Sequence, residues 1–230
     1  IVLDQEFDVA ENSSAGTVID TVEASDSDAG DSLNYSIVGG NFGTPFAITN
    51  TTGVVSVNSE APLDFETNQT LTFTVQVEDS GASTDTAEIT INILDQNEAP
   101  TLSGGPFSVE ENASNNTLVG TVTTDDEDAG ETFTYEITGS DPAAAFAIDN
   151  NGDITVSDNS QLDFETNPTF TITVKVEDSG LLSDTADFII NLTDANDPPE
   201  ISSAGPFSIP ENSADSTPVG TPIPATDQDL

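Results

Sequence analysis

The chain has no cysteine, no histidine, no methionine and no tryptophan, and only one basic residue, Lys175, among 230. Each absence removes a class of chemistry. Without cysteine there is no disulfide framework and no thiolate metal site. Without histidine there is no Ser-His-Asp triad, no Cys-His pair and no imidazole ligand. Two tyrosines and no tryptophan leave little to line a sugar cleft, so a carboxylate pair such as Asp64 and Glu66 is a weak sign of glycosidase chemistry. The composition therefore points away from an enzyme. No apolar run approaches 18 residues, so no membrane-spanning helix is expected. The chain begins without Met or a signal-like stretch, which reads as an excised segment of something longer.

What is present is negative charge: 43 acidic residues, for a net charge of −42. Nucleic acid and anionic membranes are poor partners for such a surface, whereas divalent cations are good ones. Most of these carboxylates are expected to be solvated surface, and a patterned minority to be ligands. The inventory of metal ligands is all oxygen, from Asp, Glu, Asn and backbone carbonyls. Oxygen-only sites suit hard cations, Ca²⁺ before Mg²⁺ where many ligands converge flexibly.

The sequence repeats itself with a period of about 100 residues, one whole domain per copy. "VAENSSAGTV" (Val9 to Val18) recurs as "VEENASNNTLVGTV" (Val109 to Val122) and "IPENSADSTPVGTP" (Ile209 to Pro222). "SDSDAG" from Ser25 returns as "DDEDAG" from Asp125, and "TDQD" spans Thr226 to Asp229. "LDFETN" starts at Leu63 and Leu162, and "VEDSG" at Val77 and Val176. These matches predict one repeat over 1–100, a second over 101–199 and a truncated third over 200–230. The 31 residues after Pro199 are too few for a core of their own.

Within a repeat, strand follows strand. "TLTFTVQVED" (Thr70 to Asp79) sets Leu71, Phe73, Val75 and Val77 on one face, and "TAEITINIL" does the same with Ala87, Ile89, Ile91 and Ile93. A period of two with Thr, Val, Ile and Phe marks half-buried strands. "FAIDNNGDITV" (Phe146 to Val156) reads as a hairpin with Asn-Gly at its turn. About seven short strands per repeat, without helical periodicity, predict an all-β chain. Its units would be tandem immunoglobulin-like, seven-stranded antiparallel β-sandwiches, with Tyr35, Phe46 and Phe73 in the core.

Acidic residues recur at fixed places, at strand ends and in loops rather than on strand faces. One set is Glu11, Asp64 and Glu66, then "LDQNEAP" with Asp95, Gln96, Asn97 and Glu98. Its copy is Glu111, Asp163 and Glu165, then "TDANDPP" with Asp194, Ala195, Asn196 and Asp197. The other set is Asp26, Asp28 and Asp79, copied as Asp126, Asp128 and Asp178, and begun again at Asp227 and Asp229.

V-x-E-N, D-x-D-x-G, L-D-F-E, V-E-D-S-G and D-x-N-D/E-x-P, in this order and spacing, resemble cadherin repeats over essentially the whole chain. The resemblance implies that Glu of E-N, Asp and Glu of L-D-x-E and the D-x-N-D linker of one repeat bind three Ca²⁺ with the D-x-D pair and strand-end Asp of the next. Carried over, the first junction uses Glu11, Asp64, Glu66, Asp95, Asn97 and Glu98 with Asp126, Asp128 and Asp178, and the carbonyl of Gln96. The second uses Glu111, Asp163, Glu165, Asp194, Asn196 and Asp197 with Asp227 and Asp229, and the carbonyl of Ala195. Asp26, Asp28 and Asp79 are the corresponding set at the start of the first repeat. Eight carboxylates at the first junction face six positive charges from three Ca²⁺, so the metal turns repulsion into attraction.

Two departures from the family pattern stand out. Glu98 occupies a position where the family has Asp, and no tryptophan exists for the strand exchange of vertebrate cadherins. The acidic, cysteine-free composition is more similar to cadherin-type repeats of large bacterial surface or secreted proteins. The function implied is that of calcium-binding repeats of an extracellular or cell-surface adhesin. Ca²⁺ would stiffen the junctions, and the segment would act as an extender or adhesive stalk. A Ca²⁺-dependent polysaccharide- or protein-binding module is the alternative. Expected partners are Ca²⁺ and either further copies of the chain or a cell-surface glycan or protein.

Overall fold

The computed structural model describes residues 1–28, 30–58, 63–141, 144–201 and 205–229. The chain divides into two compact units, Ile1–Glu98 and Ala99–Leu230. Parts of the third repeat read from the sequence, residues 202–204 and 230, lie outside the described residues.

Unit 1 carries β1 (Gln5–Ala10), β2 (Val18–Thr21), β3 (Asn34–Gly39), β4 (Phe46–Ile48), β5 (Val54–Val57), β6 (Thr70–Glu78) and β7 (Thr84–Leu94). One sheet has the order β1-β7-β6-β3 and the other β2-β5-β4, and both contribute side chains to one apolar core. The alternation in β6 and β7 is realised as read. Phe73, Val75, Val77, Ala87, Ile89, Ile91 and Ile93 are all buried, and Leu71 is half-buried against them. The Thr, Gln and Glu residues between them face outward or are half-covered. The sheets are antiparallel with one exception: β1 runs parallel to β7, from Gln5↔Ile89 to Ala10↔Leu94. After β1 the chain crosses to the other sheet, and such a crossover is what a parallel pair requires.

Unit 2 contains β8 (Thr101–Ser103), β9 (Phe107–Glu110), β10 (Leu118–Thr121), β11 (Thr123–Asp125), β12 (Thr134–Asp141), β13 (Phe146–Ile148), β14 (Asp153–Val156), β15 (Thr169–Glu177) and β16 (Ser183–Thr193). Its sheets are ordered β12-β15-β16-β9 and β10-β14-β13, and β8 pairs with β11. In unit 1 that last pairing is a single bridge, Val2 to Ala24. Again the first strand of the large sheet is parallel to the last, β9 to β16. The hairpin expected at Phe146–Val156 is β13–β14. Its turn is closed by the Asp149 carboxylate, which accepts the N–H groups of Asn151 (2.8 Å) and Asp153 (3.1 Å). Gly152 follows with φ +79° and backs onto the carbonyl of Val122, which a Cβ would approach to 2.7 Å. Only glycine suits both the angle and the contact.

The two cores differ by an exchange along one strand. Phe73 packs on Phe46 with ring centroids 5.3 Å apart. The matching position in β15 is Ile172, and the aromatic has moved two residues to Phe170, which meets Phe146 at 5.2 Å. Both Phe170 and Ile172 are fully buried. Two residues along a strand is one step on the same face, so the swap keeps core volume and aromatic pairing. After Pro199 the pattern changes. β17 (Glu200–Ile201) pairs with β18 (Ala225–Thr226), and no described residue of this stretch is buried.

Candidate metal centre

β1 ends level with β7, and the next residue is Glu11, whose N–H reaches the Leu94 carbonyl at 3.0 Å. Glu11 is 3% exposed. Its Oε2 accepts the backbone N–H of Phe65 at 2.7 Å and its Oε1 that of Gln96 at 2.9 Å. One buried carboxylate thus pins both the loop carrying Asp64 and Glu66 and the segment Asp95, Gln96, Asn97 and Glu98. Unit 2 repeats the arrangement. Glu111, also 3% exposed, accepts from Phe164 at 2.6 Å and from Ala195 at 2.8 Å. A buried carboxylate is tolerated only when it is hydrogen-bonded or paired. The single lysine is ion-paired elsewhere, with Glu177 at 2.6 Å.

Asp64 and Asp163 close their own loops. Each accepts the backbone N–H and the hydroxyl of a threonine three residues on, Thr67 at 2.7 and 2.8 Å and Thr166 at 2.8 and 2.9 Å. Asn97 and Asn196 turn their amide nitrogens onto the carbonyls of Glu98 and Asp197. Carboxylate oxygens of Glu11, Asp64 and Glu66 lie within 4.8 Å of one another, and so do those of Glu111, Glu165, Asp194 and Asp229. Asp163, Asp197 and Asp227 are not members of that group of four. Asp197 instead donates its N–H to Asp229 at 2.6 Å, and Asp227 accepts that of Asp229 at 3.2 Å.

The charges in the group of four act on one another. At Glu165 the residue's own backbone N–H favours the ionised form. Partial loss of solvent and the charges of Glu111, Asp229 and Asp194 outweigh it and hold the carboxyl above its ordinary range. Two like charges 4.8 Å apart repel by about 1 kcal/mol even at water-like screening.

The second set lies at the opposite end of the strands. The β6–β7 turn holds Asp79, whose Oδ1 accepts the N–H of Ser83 at 2.8 Å, and Asp178 does the same for Leu182 at 2.8 Å. In each D-x-D turn the first Asp accepts the N–H of the second, Asp26 from Asp28 at 2.8 Å and Asp126 from Asp128 at 3.0 Å. Within unit 2, burial pushes the Asp126 carboxyl up. The N–H of Asp128 opposes this, and the charges of Asp128, Asp178 and Glu131 add to it. Asp126 Oδ2 is buried with no hydrogen-bond partner among the described residues.

Several residues that the motifs did not single out support these sets. Asp31 accepts from the Ser80 hydroxyl at 2.7 Å, and Glu131 from both the N–H (3.1 Å) and the hydroxyl of Ser179. Each holds its D-x-D loop against the turn bearing the third Asp. Asp85 and Asp184 tie the first residues of their units to β7 and β16, accepting from Val2 at 3.0 Å and Leu102 at 2.9 Å. The available signal was recurrence one repeat later, Asp31 with Glu131 and Asp85 with Asp184.

All-oxygen donors, four carboxylates converging within 4.8 Å and a buried carboxylate oxygen without a donor fit a hard divalent cation. A cadherin domain model matches residues 5–94 and 106–193. The chain belongs to the cadherin family. Cadherin domains are modules of adhesion proteins, not enzymes, and this chain holds two of them in tandem.

The Protocadherin-like wing polarity protein stan of Drosophila melanogaster is 36% identical over 204 residues, which is 84% of this chain and 6% of that protein. Cadherin EGF LAG seven-pass G-type receptor 2 of Mus musculus is 34% identical over 232 residues, 96% of this chain and 8% of that protein. The chain therefore spans less than a tenth of the length of these relatives. Mouse cadherin-23 EC22-24 superposes with a TM-score of 0.66 at 27% identity, covering 97% of this chain and 74% of that one. Among the described residues no helix is long and apolar enough to cross a membrane.

Proposed function

We propose that this cadherin segment binds Ca²⁺ through the acidic groups at the ends of its repeats, and that it serves as an extender or adhesive stalk of an extracellular protein. The observation that carries this reading is the convergence of Glu111, Glu165, Asp194 and Asp229 within 4.8 Å, with no cationic side chain to offset them. Asp64, Glu66, Asp95 and Asn97 belong to the matching set around Glu11, and Asp126, Asp128 and Asp178 to the set that opens the second repeat. Bound Ca²⁺ would supply the positive charge. The residues of the chain supply the oxygens, and Glu11 and Glu111 hold the oxygen-bearing loops in place.

Boundaries at 1–100, 101–199 and 200–230 are part of the proposal, as is stiffening by calcium. Its support is the linker sequence, which has no Gly/Ser tether to give slack. The extracellular location rests on family membership and a bacterial source on composition alone.

Calorimetric titration with CaCl₂ tests the core of the reading. Uptake of calcium by the parent is expected, and so is a marked loss of affinity in Asp194→Asn/Asp229→Asn and in Asp126→Asn/Asp128→Asn. Unchanged affinity in both double variants, or no uptake by the parent, would overturn it. Small-angle scattering with calcium and with chelator tests the stalk role. A chain equally stiff in both would exclude calcium as its source.

A further inference from the structure

The residue after each buried glutamate is an asparagine, Asn12 and Asn112. Neither is a metal ligand in the sets above, yet both make the same contact. Asn12 Nδ2 donates to Glu98 Oε1 at 2.6 Å, and Asn112 Nδ2 donates to Asp197 Oδ1 at 3.0 Å. The partners are the last acids of the two linkers, 86 and 85 residues downstream. They differ by a methylene, but the asparagine finds a carboxylate oxygen in both units. The contact is thus preserved through a change of partner, which a chance meeting of surface side chains would not be.

We infer that Asn12 and Asn112 are positioning residues, each fixing the terminal acid of its linker in the orientation used for calcium, before any metal arrives. Glu11 and Asn12 then act as adjacent halves of a latch. Glu11 takes the backbone of the linker through Gln96, and Asn12 takes the side chain of Glu98 two residues on. Holding a ligand in its bound orientation removes an ordering cost from the binding step. A donor to a carboxylate also forms a charge-assisted hydrogen bond, stronger than a neutral one. The latch accommodates Glu98 where the second linker has the shorter Asp197, because Asn12 holds the longer side chain back. At Asn12, though not at Asn112, backbone geometry adds to the case. Asn12 has φ +53°, a left-handed conformation that asparagine tolerates better than most residues. Its N–H bonds the Leu63 carbonyl at 3.2 Å. The backbone is thus anchored beside the L-D-F-E loop and the carboxamide is left to reach the linker.

This inference rests on the calcium reading, and the test separates the two. The full chain, ¹⁵N-labelled, is compared with Asn12→Gly, Glu98→Ala and the double variant. Glycine suits the positive φ, so the substitution removes the carboxamide without straining the backbone. In chelator, the side-chain amide signals of Asn12 are expected away from the free-amide position in the parent and at that position in Glu98→Ala. With CaCl₂ as titrant, Asn12→Gly is expected to weaken binding by about tenfold, the scale of one charge-assisted hydrogen bond. The same change should add nothing in the Glu98→Ala background, because it acts through Glu98. Amide signals that do not respond to Glu98→Ala, or losses that add in full, overturn the inference. A parent that takes up no calcium overturns the calcium role of the latch together with the calcium reading. The amide signals then still decide whether Asn12 orients Glu98.

Discussion

Glu111 Oε2 stands 2.6 Å from the backbone nitrogen of Phe164, a residue 53 positions away. The contact joins the end of β9 to the L-D-F-E loop, and the other oxygen of the same carboxylate holds Ala195. One buried side chain thus ties two loops together at this end of unit 2 without calcium. Glu111→Ala should destabilise the calcium-free chain by about 3 kcal/mol, the loss of two bonds to a charged acceptor. Glu111→Gln, which keeps one acceptor, should cost about half as much. Exposed Glu110 provides the control, since Glu110→Ala should fall within about 0.5 kcal/mol of the parent. Thermal unfolding in chelator checks all three.

Glu165 should have opposite effects with and without metal. Its neighbours Glu111, Asp229 and Asp194 help to hold its carboxyl above the ordinary range, so its ionised form is disfavoured in the folded metal-free chain. That penalty is present above the raised folded value and absent below the unfolded one. Glu165→Gln should raise the melting temperature in chelator at pH 7 and lower the affinity for calcium. A variant less stable than the parent in chelator would contradict the repulsion described above.

Asp149 gives a pH dependence that does not involve metal. The N–H groups of Asn151 and then Asp153 hold its carboxyl below the usual range. A depressed folded value means that its stabilisation is complete above the unfolded pKa, about 3.9, and is lost as pH falls through the folded value. Asp149→Ala should therefore melt below the parent at pH 7, and the gap should narrow as the pH falls through the depressed folded value. A gap of constant size would show that the ionised form of the carboxylate adds nothing, and no gap at pH 7 that the turn is held by Gly152 and the backbone alone.

The exchange of Phe and aliphatic residues between the cores can be tested by making it. Phe170→Leu should leave a cavity and Ile172→Phe should overpack, each costing about 1–3 kcal/mol. Together they recreate the order of β6, Leu then Phe, and should recover at least half of the summed loss. Denaturant unfolding of the two single variants and the double variant gives the coupling.

The fold was legible because its signal is local. Alternation in "TLTFTVQVED" and "TAEITINIL" places Val75 and Ile89 in the core without reference to any distant residue. The acidic sets were legible for a different reason: duplication made Glu11 and Glu111, or Asp64 and Asp163, visible as matched positions. Hydrogen-bond partners were not. Asn12 meets Glu98 and Asp85 meets Val2 across more than 80 residues, and a polar residue on an exposed loop has no periodicity to betray its partner. The parallel pairing of β1 with β7 was hidden too, because alternation fixes which face a strand buries and leaves its direction open.

That parallel pair decides how each unit bears tension. In unit 1 the chain enters β1 at Gln5 and leaves β7 at Leu94, which are at opposite ends of the same ladder. A pull on the two ends slides β1 along β7, so the ladder from Gln5↔Ile89 to Ala10↔Leu94 is loaded in shear and its bonds resist together. Had the two strands been antiparallel, entry and exit would share one end, and the same pull would open the ladder bond by bond. Unit 2 places β9 beside β16 in the same sense. The direction of one short strand thus makes each sandwich a link that resists stretching along the chain.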